Sequence, residues 1–207
     1  MQRIQKLLAG MEEKGFEAAW IVSPENTRYL TGFAGEGSLF VAKDGCVILT
    51  DFRYIEQAAR ESPGIPVVRT SGDLKVEEAL KALIGERSLK TVAIERNLVT
   101  LDQYDKLPEG VMYPALGGIP EKLRRVKDEG ELISIRKASA IACRAFEEML
   151  SVIKAGMTEK EVAMELDSRM LRLGSERSAF DTIAAAGVNG SLPHAVPSDH
   201  VLADGEL

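Results

Sequence analysis

Histidine and cysteine are scarce in this chain, and their scarcity narrows the chemistry open to it. The 207 residues contain two of each. Cys46 and Cys143 stand far apart and neither belongs to a CxxC pair. A disulfide scaffold or a cysteine zinc site therefore has no footing, and both thiols read as free in a reducing compartment, with the cytoplasm as the expected location. There is no HExxH and no close pair of histidines on a helix, so the sequence offers no metal-ligand cluster. A P-loop, a GxGxxG fingerprint and a GxSxG elbow are also missing. No apolar run approaches the roughly 18 residues that a membrane span needs. The N-terminus, MQRIQKLLAGMEEKG, is amphipathic and lacks the apolar centre and small-residue cleavage site of a signal peptide. Basic runs are absent too. The 26 Lys and Arg are interspersed with 32 Asp and Glu, for a net charge of −6. Neither a nucleic acid nor a membrane surface is expected as a partner.

What is present is an alternation of short elements. Ile4, Leu7, Leu8 and Met11 recur at helical spacing, and Gly15 follows as a stop. Residues 18–22 (AAWIV) read as a buried strand, Ser23-Pro24-Glu25-Asn26 as a turn, and residues 38–42 (SLFVA) as a second strand. Lys43-Asp44-Gly45 leads into a third strand at 46–50. A hairpin is expected there because Asp-Gly supplies the positive φ angles such turns use. Asp51 is placed to cap a helix running through Arg60, which Pro63-Gly64 breaks. A strand at 66–69, a helix at 73–84 carrying Leu74, Leu80 and Leu83, and a strand at 91–94 follow. The alternation over residues 1–115 predicts a small α/β domain with a mixed sheet.

Gly117-Gly118-Ile119-Pro120 punctuates the chain and sets the expected domains at 1–120 and 121–207. Beyond it, Leu132, Ile135, Ala142, Phe146, Met149, Leu150 and Ile153 form one apolar stripe along a helix at 128–153, with Gly156 behind it. Thr158 and Glu161 make a capping box for a second helix, which runs to about Leu173 with Gly174 after it. Residues 180–186 (FDTIAAA) read as a strand. A strand with no neighbour in its own domain cannot finish a sheet. The expectation is mobility after about residue 175, or burial of that edge by a partner.

Few residues can carry chemistry. His194 sits in "GVNGSLPHAVPSDH", where Pro193 and Pro197 stiffen the loop and aim the ring. Its other reading is an ordinary surface histidine. His200 reads as a plain surface residue. Asp51, Arg53 and Tyr54 are either helix-start electrostatics or a polar rim facing a partner site, and Asn26, Arg28 and Tyr29 carry the same two readings. Gly32 and Gly35 are expected to serve turn geometry.

Three segments, in order, resemble one family. "NTRYLTGFAGEGSLFVAKDGCVILTDFRYIEQA" is similar to the N-terminal domain of the creatinase/prolidase/aminopeptidase P group. "LRRVKDEGELISIRKASAIACRAFEEML" resembles the entry helix of their catalytic domain, and "GMTEKEVAMELDSRMLRLGSERSAFDTIAAAGVNGSLPHAVPSDHVLADGEL" the helix, strand and histidine loop that follow. The resemblance implies an α/β N-terminal domain followed by the incomplete first part of a pita-bread α+β catalytic domain. It implies cleavage between a first residue and proline, as in Xaa-Pro dipeptidases and aminopeptidases. It also implies two divalent metals (manganese, cobalt or zinc) held by two Asp, one His and two Glu, whose bridging hydroxide attacks the carbonyl. To His194 it assigns substrate binding and stabilisation of the tetrahedral intermediate, an electrostatic role.

Two departures qualify the match. Ala195 stands where the family usually has Gly, and its Cβ is expected to narrow the backbone's approach to substrate or to shift the loop. The family's first metal-binding Asp is expected in a strand after "LADGEL", beyond Leu207, and Asp199 and Asp204 precede that position. No metal ligand and no bound metal are therefore expected within residues 1–207. The leading expectation is an inactive fragment of an Xaa-Pro metallopeptidase whose parent is a homodimer acting on Xaa-Pro peptides. The alternatives are an interaction or dimerisation module and a creatinase-like relative that is not a peptidase.

Overall fold

In the computed structural model, residues 2–72 and 74–206 are described. The chain divides into two compact units, Met1–Val126 and Lys127–Leu207. The first is built on five strands: β1 (Ala18–Ile21), β2 (Ser38–Ala42), β3 (Gly45–Asp51), β4 (Val67–Thr70) and β5 (Val92–Ile94), in the order β4-β3-β2-β1-β5. Pairs β1/β2 and β2/β3 are antiparallel, while β3/β4 and β1/β5 are parallel. The mixed sheet expected from the alternation is therefore present. Its helices are α1 (Gln2–Glu12), α2 (Pro24–Thr31), α3 (Ile55–Glu61), α4 (Val76–Glu86), α5 (Leu101–Asp105) and α6 (Ile119–Arg125).

Strands β1 and β2 are buried on both faces, which is why they read as apolar runs and not as alternations. On one face Ala19, Ile21, Leu39, Val41 and Ile48 pack with Ile4, Leu7 and Met11 of α1 and with Phe33. On the other, Trp20, Phe40, Leu49 and Ile94 pack with Ala79, Leu80, Leu83 and Ile84 of α4. Trp20 is buried, and its indole N–H donates to the Ser38 hydroxyl at 3.0 Å.

Several local expectations fail for identifiable reasons. Residues 23–26 are the start of α2, not a turn. Ser23 accepts from the Asn26 amide at 3.1 Å, and Pro24 opens the helix, where its missing N–H costs nothing. Ser-Pro punctuates a helix start as readily as a turn. Asp51 ends β3 and caps nothing: the residue before α3 is Tyr54, with no side-chain cap. The Asp51 carboxylate instead takes the Arg53 amide at 2.9 Å and its guanidinium at 2.7 Å. The β2–β3 hairpin forms with Ala42 opposite Gly45, but not through a positive φ at Asp44. Ser88 is the one described residue other than glycine with positive φ. The helix read at 73–84 is α4, shifted to begin at Val76; Asp73 lies outside the described residues. Gly32 does serve as a left-handed helix end, at φ 91°. Gly35 does not: a Cβ there would lie 2.6 Å from the Phe33 ring and 2.7 Å from Tyr54, so close packing demands the glycine.

The second unit holds α7 (Glu129–Met149) and α8 (Glu159–Arg172). Asp128 and Glu131 form a capping box for α7, and Thr158 and Glu161 form the expected one for α8. Helix α7 stops at Met149, short of the 153 read from its stripe. Arg169 ties the two helices, reaching Glu148 at 3.3 Å and Glu165 at 2.7 Å. Ala145 and Met149 of α7 are buried, but Ile135, Phe146, Leu150 and Ile153 of the predicted stripe are exposed. No strand forms at 180–186. Among the described residues this unit contains no β-strand to pair with it, and an unpaired strand leaves its backbone groups without partners. The Ser178 and Thr182 hydroxyls donate to Asp167 instead.

Candidate functional site

The site is built around the first turn of α8. Three amides there need partners outside the helix. The Glu161 amide finds the Thr158 hydroxyl at 3.2 Å, Glu159 the His200 carbonyl at 3.1 Å and Lys160 the Ser198 carbonyl at 3.2 Å. Just before the helix, the Gly156 amide donates to the Leu202 carbonyl at 2.9 Å, and the Leu202 amide to the Met157 carbonyl at 2.8 Å. The segment 198–202 thus runs beside 156–160, with an antiparallel bridge between Thr158 and Val201.

Glu159 turns inward from this turn and is 1% exposed. One carboxylate oxygen, Oε1, accepts from the Ala186 amide at 2.8 Å and from the Asn189 side chain at 3.1 Å. The other, Oε2, accepts from the Ser198 amide at 2.9 Å and the Ser198 hydroxyl at 2.7 Å. These donors hold the carboxyl at a pKa of about 2. The Ser198 hydroxyl contributes most and the Ala186 and Ser198 amides next, outweighing the opposing effect of burial.

Between these anchors runs the loop that carries His194. It opens with the 3-10 turn Gly187–Ser191. The Ala195 amide donates to the Leu192 carbonyl at 3.2 Å, closing a turn around Pro193 and His194. The His194 ring is exposed and has no hydrogen-bond partner among the described residues. Ala195 is buried and keeps an ordinary negative φ, so its Cβ is accommodated without backbone strain. His200 is more than a plain surface residue. It is half-buried, and its Nε2 lies 3.3 Å from Glu206 Oε2, which also accepts the Ala203 amide at 2.9 Å.

The other candidates separate cleanly. Asn26 is a buried structural hub. Its side-chain amide donates to Glu95 at 2.6 Å and Glu121 at 2.7 Å, and its carbonyl accepts from Arg124 at 3.0 Å. Glu95 also takes the Val22 and Ser23 amides, both at 2.7 Å. This network fixes α2 and α6 to the end of β5 and leaves Asn26 no spare group for a ligand. Arg28 is exposed; the Tyr29 ring packs under the Arg3 guanidinium, 4.3 Å from its centroid. Arg53 is satisfied at the surface by Asp51 and, at 3.0 Å, by Glu36, and these carboxylates push its pKa up. Asp199 pairs with Lys160 at 3.0 Å. Among the described residues no group of three or more His, Cys, Asp or Glu is placed to hold a metal ion, and no helix is long and apolar enough to cross a membrane.

Sequence reasoning singled out His194 as a candidate and did not single out Glu159. Thr158 and Glu161 announce the capping box, so an acid between them reads as one more charge favoured at a helix start. Its four donors come from residues 27 to 39 positions downstream, and no local pattern links them.

Residues 3–126 match the Creatinase/Prolidase N-terminal domain and residues 134–207 match Metallopeptidase family M24. An uncharacterized peptidase of Bacillus subtilis is 33% identical over 210 residues, covering 99% of this chain and 59% of the relative. Of solved structures, the Xaa-Pro dipeptidase from Bacillus anthracis matches with a TM-score of 0.91 at 32% identity, over 100% of this chain and 58% of that one. The X-Pro aminopeptidase from Thermotoga maritima matches with a TM-score of 0.83 at 32% identity, over 93% and 56%. The chain thus spans less than two thirds of the length of each. The likeness bears out the expected α/β first unit followed by the opening part of a pita-bread α+β domain.

Proposed function

This chain belongs to the creatinase/prolidase N-terminal domain family, and from that membership we propose that residues 1–207 serve a metal-dependent peptidase cleaving the bond between a first residue and proline. The observation that carries the reading is His194. Its ring is exposed and unpaired on a loop whose two ends are fixed, within the part that matches family M24. An imidazole held so can donate an N–H to the carbonyl oxygen of a bound peptide and to the charge that grows there during attack. Family M24 enzymes use divalent metals. We infer that the contribution of these residues is to binding and charge. We assign manganese, cobalt or zinc to ligands outside residues 1–207, and expect no turnover from those residues unaided. The reading includes a homodimer and a cytoplasmic location.

The test is a chimera joining residues 1–207 to the part of the Bacillus anthracis dipeptidase that this chain does not cover. Loaded with manganese, it is expected to hydrolyse alanyl-proline. A folded, metal-loaded chimera with no turnover would count against the reading.

A second reading, an interaction module, is favoured by one observation. Phe146, Leu150, Phe180 and Val196 of the second unit are 59%, 63%, 75% and 83% exposed, and apolar side chains of this size are the kind a partner covers. Light scattering of the chain beside a Phe146→Ser, Leu150→Ser variant tests it: dimers that fall to monomers in the variant support the module, and dimers that persist, or a clean monomer at high concentration, count against it.

A further inference from the structure

We propose that Glu159 is the positioning residue for His194, its single carboxylate holding both ends of the loop that presents the imidazole. The inference rests on the reading of His194 as a substrate-side group. Oε1 holds the leading end, through the Ala186 amide and the Asn189 side chain, and Oε2 holds the trailing end, through the amide and hydroxyl of Ser198. Residues 186 and 198 are thereby brought to opposite sides of one carboxylate. A compact loop with joined ends, packed on its own turns, is the geometry of an Ω-loop, and His194 lies on the stretch between.

The role is separable from ordinary helix capping. An acid in the first turn normally faces solvent and acts through the helix dipole. Glu159 is buried, and the capping box is already completed by Glu161. The carboxylate's acceptor sites are matched by four donors, and no donor of its own is needed. Bonds to an ionised acceptor are the stronger kind. A carboxyl held at about 2 stays ionised across the working range of a peptidase.

These features make Glu159→Gln a sharp probe. The substitution barely changes shape, but one oxygen becomes an NH2 group. Whichever way the amide turns, its NH2 meets a backbone N–H that can only donate, that of Ala186 on one side or of Ser198 on the other, while the Asn189 amide and the Ser198 hydroxyl can turn to accept; one end of the loop therefore loses its backbone bond.

The first measurement is on the 207-residue chain. In Glu159→Gln, amide exchange at Ala186 or Ser198 is expected to rise at least tenfold, and the His194 imidazole signals to move to averaged, solvent-like positions, with α8 amides still protected. With only two histidines in the chain, His194→Ala assigns the signal. Glu161→Ala serves as the control: it removes the capping-box acceptor and should loosen the start of α8 while leaving the Ala186 and Ser198 amides protected. Wild-type protection of both amides in Glu159→Gln would overturn the proposal. Loss of α8 protection along with them would overturn it too, by making Glu159 a fold residue.

The second measurement is kinetic, in the manganese-loaded chimera. Glu159→Gln should lower kcat at least tenfold, and the same change added to His194→Ala should lower it no further, because a residue acting through His194 has nothing left to position. Full additivity would contradict the proposal. If His194→Ala itself leaves kcat unchanged, the reading of His194 fails, while the amide data still decide whether Glu159 holds the loop.

Discussion

Replacing His194 with alanine in the manganese-loaded chimera is expected to lower kcat on alanyl-proline by about 10²–10³-fold, the range seen when one donor to a developing oxyanion is removed. KM should change far less, because the N–H gains most of its interaction as charge builds on the oxygen, not in the ground state. The structure predicts that the loss is chemical. The ring is exposed and bonded to nothing among the described residues, so its removal leaves no cavity and no orphaned partner. The melting temperature and circular dichroism of the variant should match the parent. A variant with full activity, or one that loses activity only because it unfolds, would remove His194 from the substrate side.

Trp20→Ala is expected to cost the first unit about 3–5 kcal/mol, the usual range for deleting a large buried aromatic. Trp20 is 1% exposed and lies in the layer between the sheet and α4, against Phe40 and Leu80. Removing it leaves a void that a sheet fixed on both sides cannot close, and strands the Ser38 hydroxyl that now accepts the indole N–H. Trp20→Phe separates the two causes. It refills most of the volume, so its cost is the hydrogen bond, at about 1 kcal/mol, plus a small residual cavity. Urea unfolding followed by circular dichroism of the first unit gives both numbers. A Trp20→Ala loss below about 1 kcal/mol would mean that this core layer does not carry the fold.

The fold was legible where the signal is local. Ile4, Leu7 and Met11 announce α1, and Thr158 with Glu161 announces α8, because spacing and capping are properties of a few neighbouring residues. The strands read correctly as short apolar runs because both faces of β1 and β2 are buried. Errors fell where one motif has two uses. Ser23-Pro24 opens a helix though it could make a turn, and Asp51 bonds Arg53 though it could cap α3. The strand expected at 180–186 fails for a different reason. Phe180, Thr182 and Ile183 favour β but Asp181 and three alanines do not, β structure depends on a partner, and in this unit the side chain of Asp167 is what it meets.

Of the proposed site, His194 alone stood out in the sequence, as a histidine between prolines. Its anchor did not, because Glu159 collects Ala186, Asn189 and Ser198 from across the fold. The same holds for Asn26, whose partners Glu95, Glu121 and Arg124 are 69 to 98 residues away. Long-range polar hubs leave no periodicity to read.

We propose that residues 1–207 carry the substrate-side histidine but not the catalytic metals. The most direct test is to assay the 207-residue chain on alanyl-proline with added manganese, beside the active chimera as a positive control. No hydrolysis above the buffer blank is expected. Turnover that rises with manganese and falls with a chelator would contradict it, and would place a functioning metal site among residues 1–207.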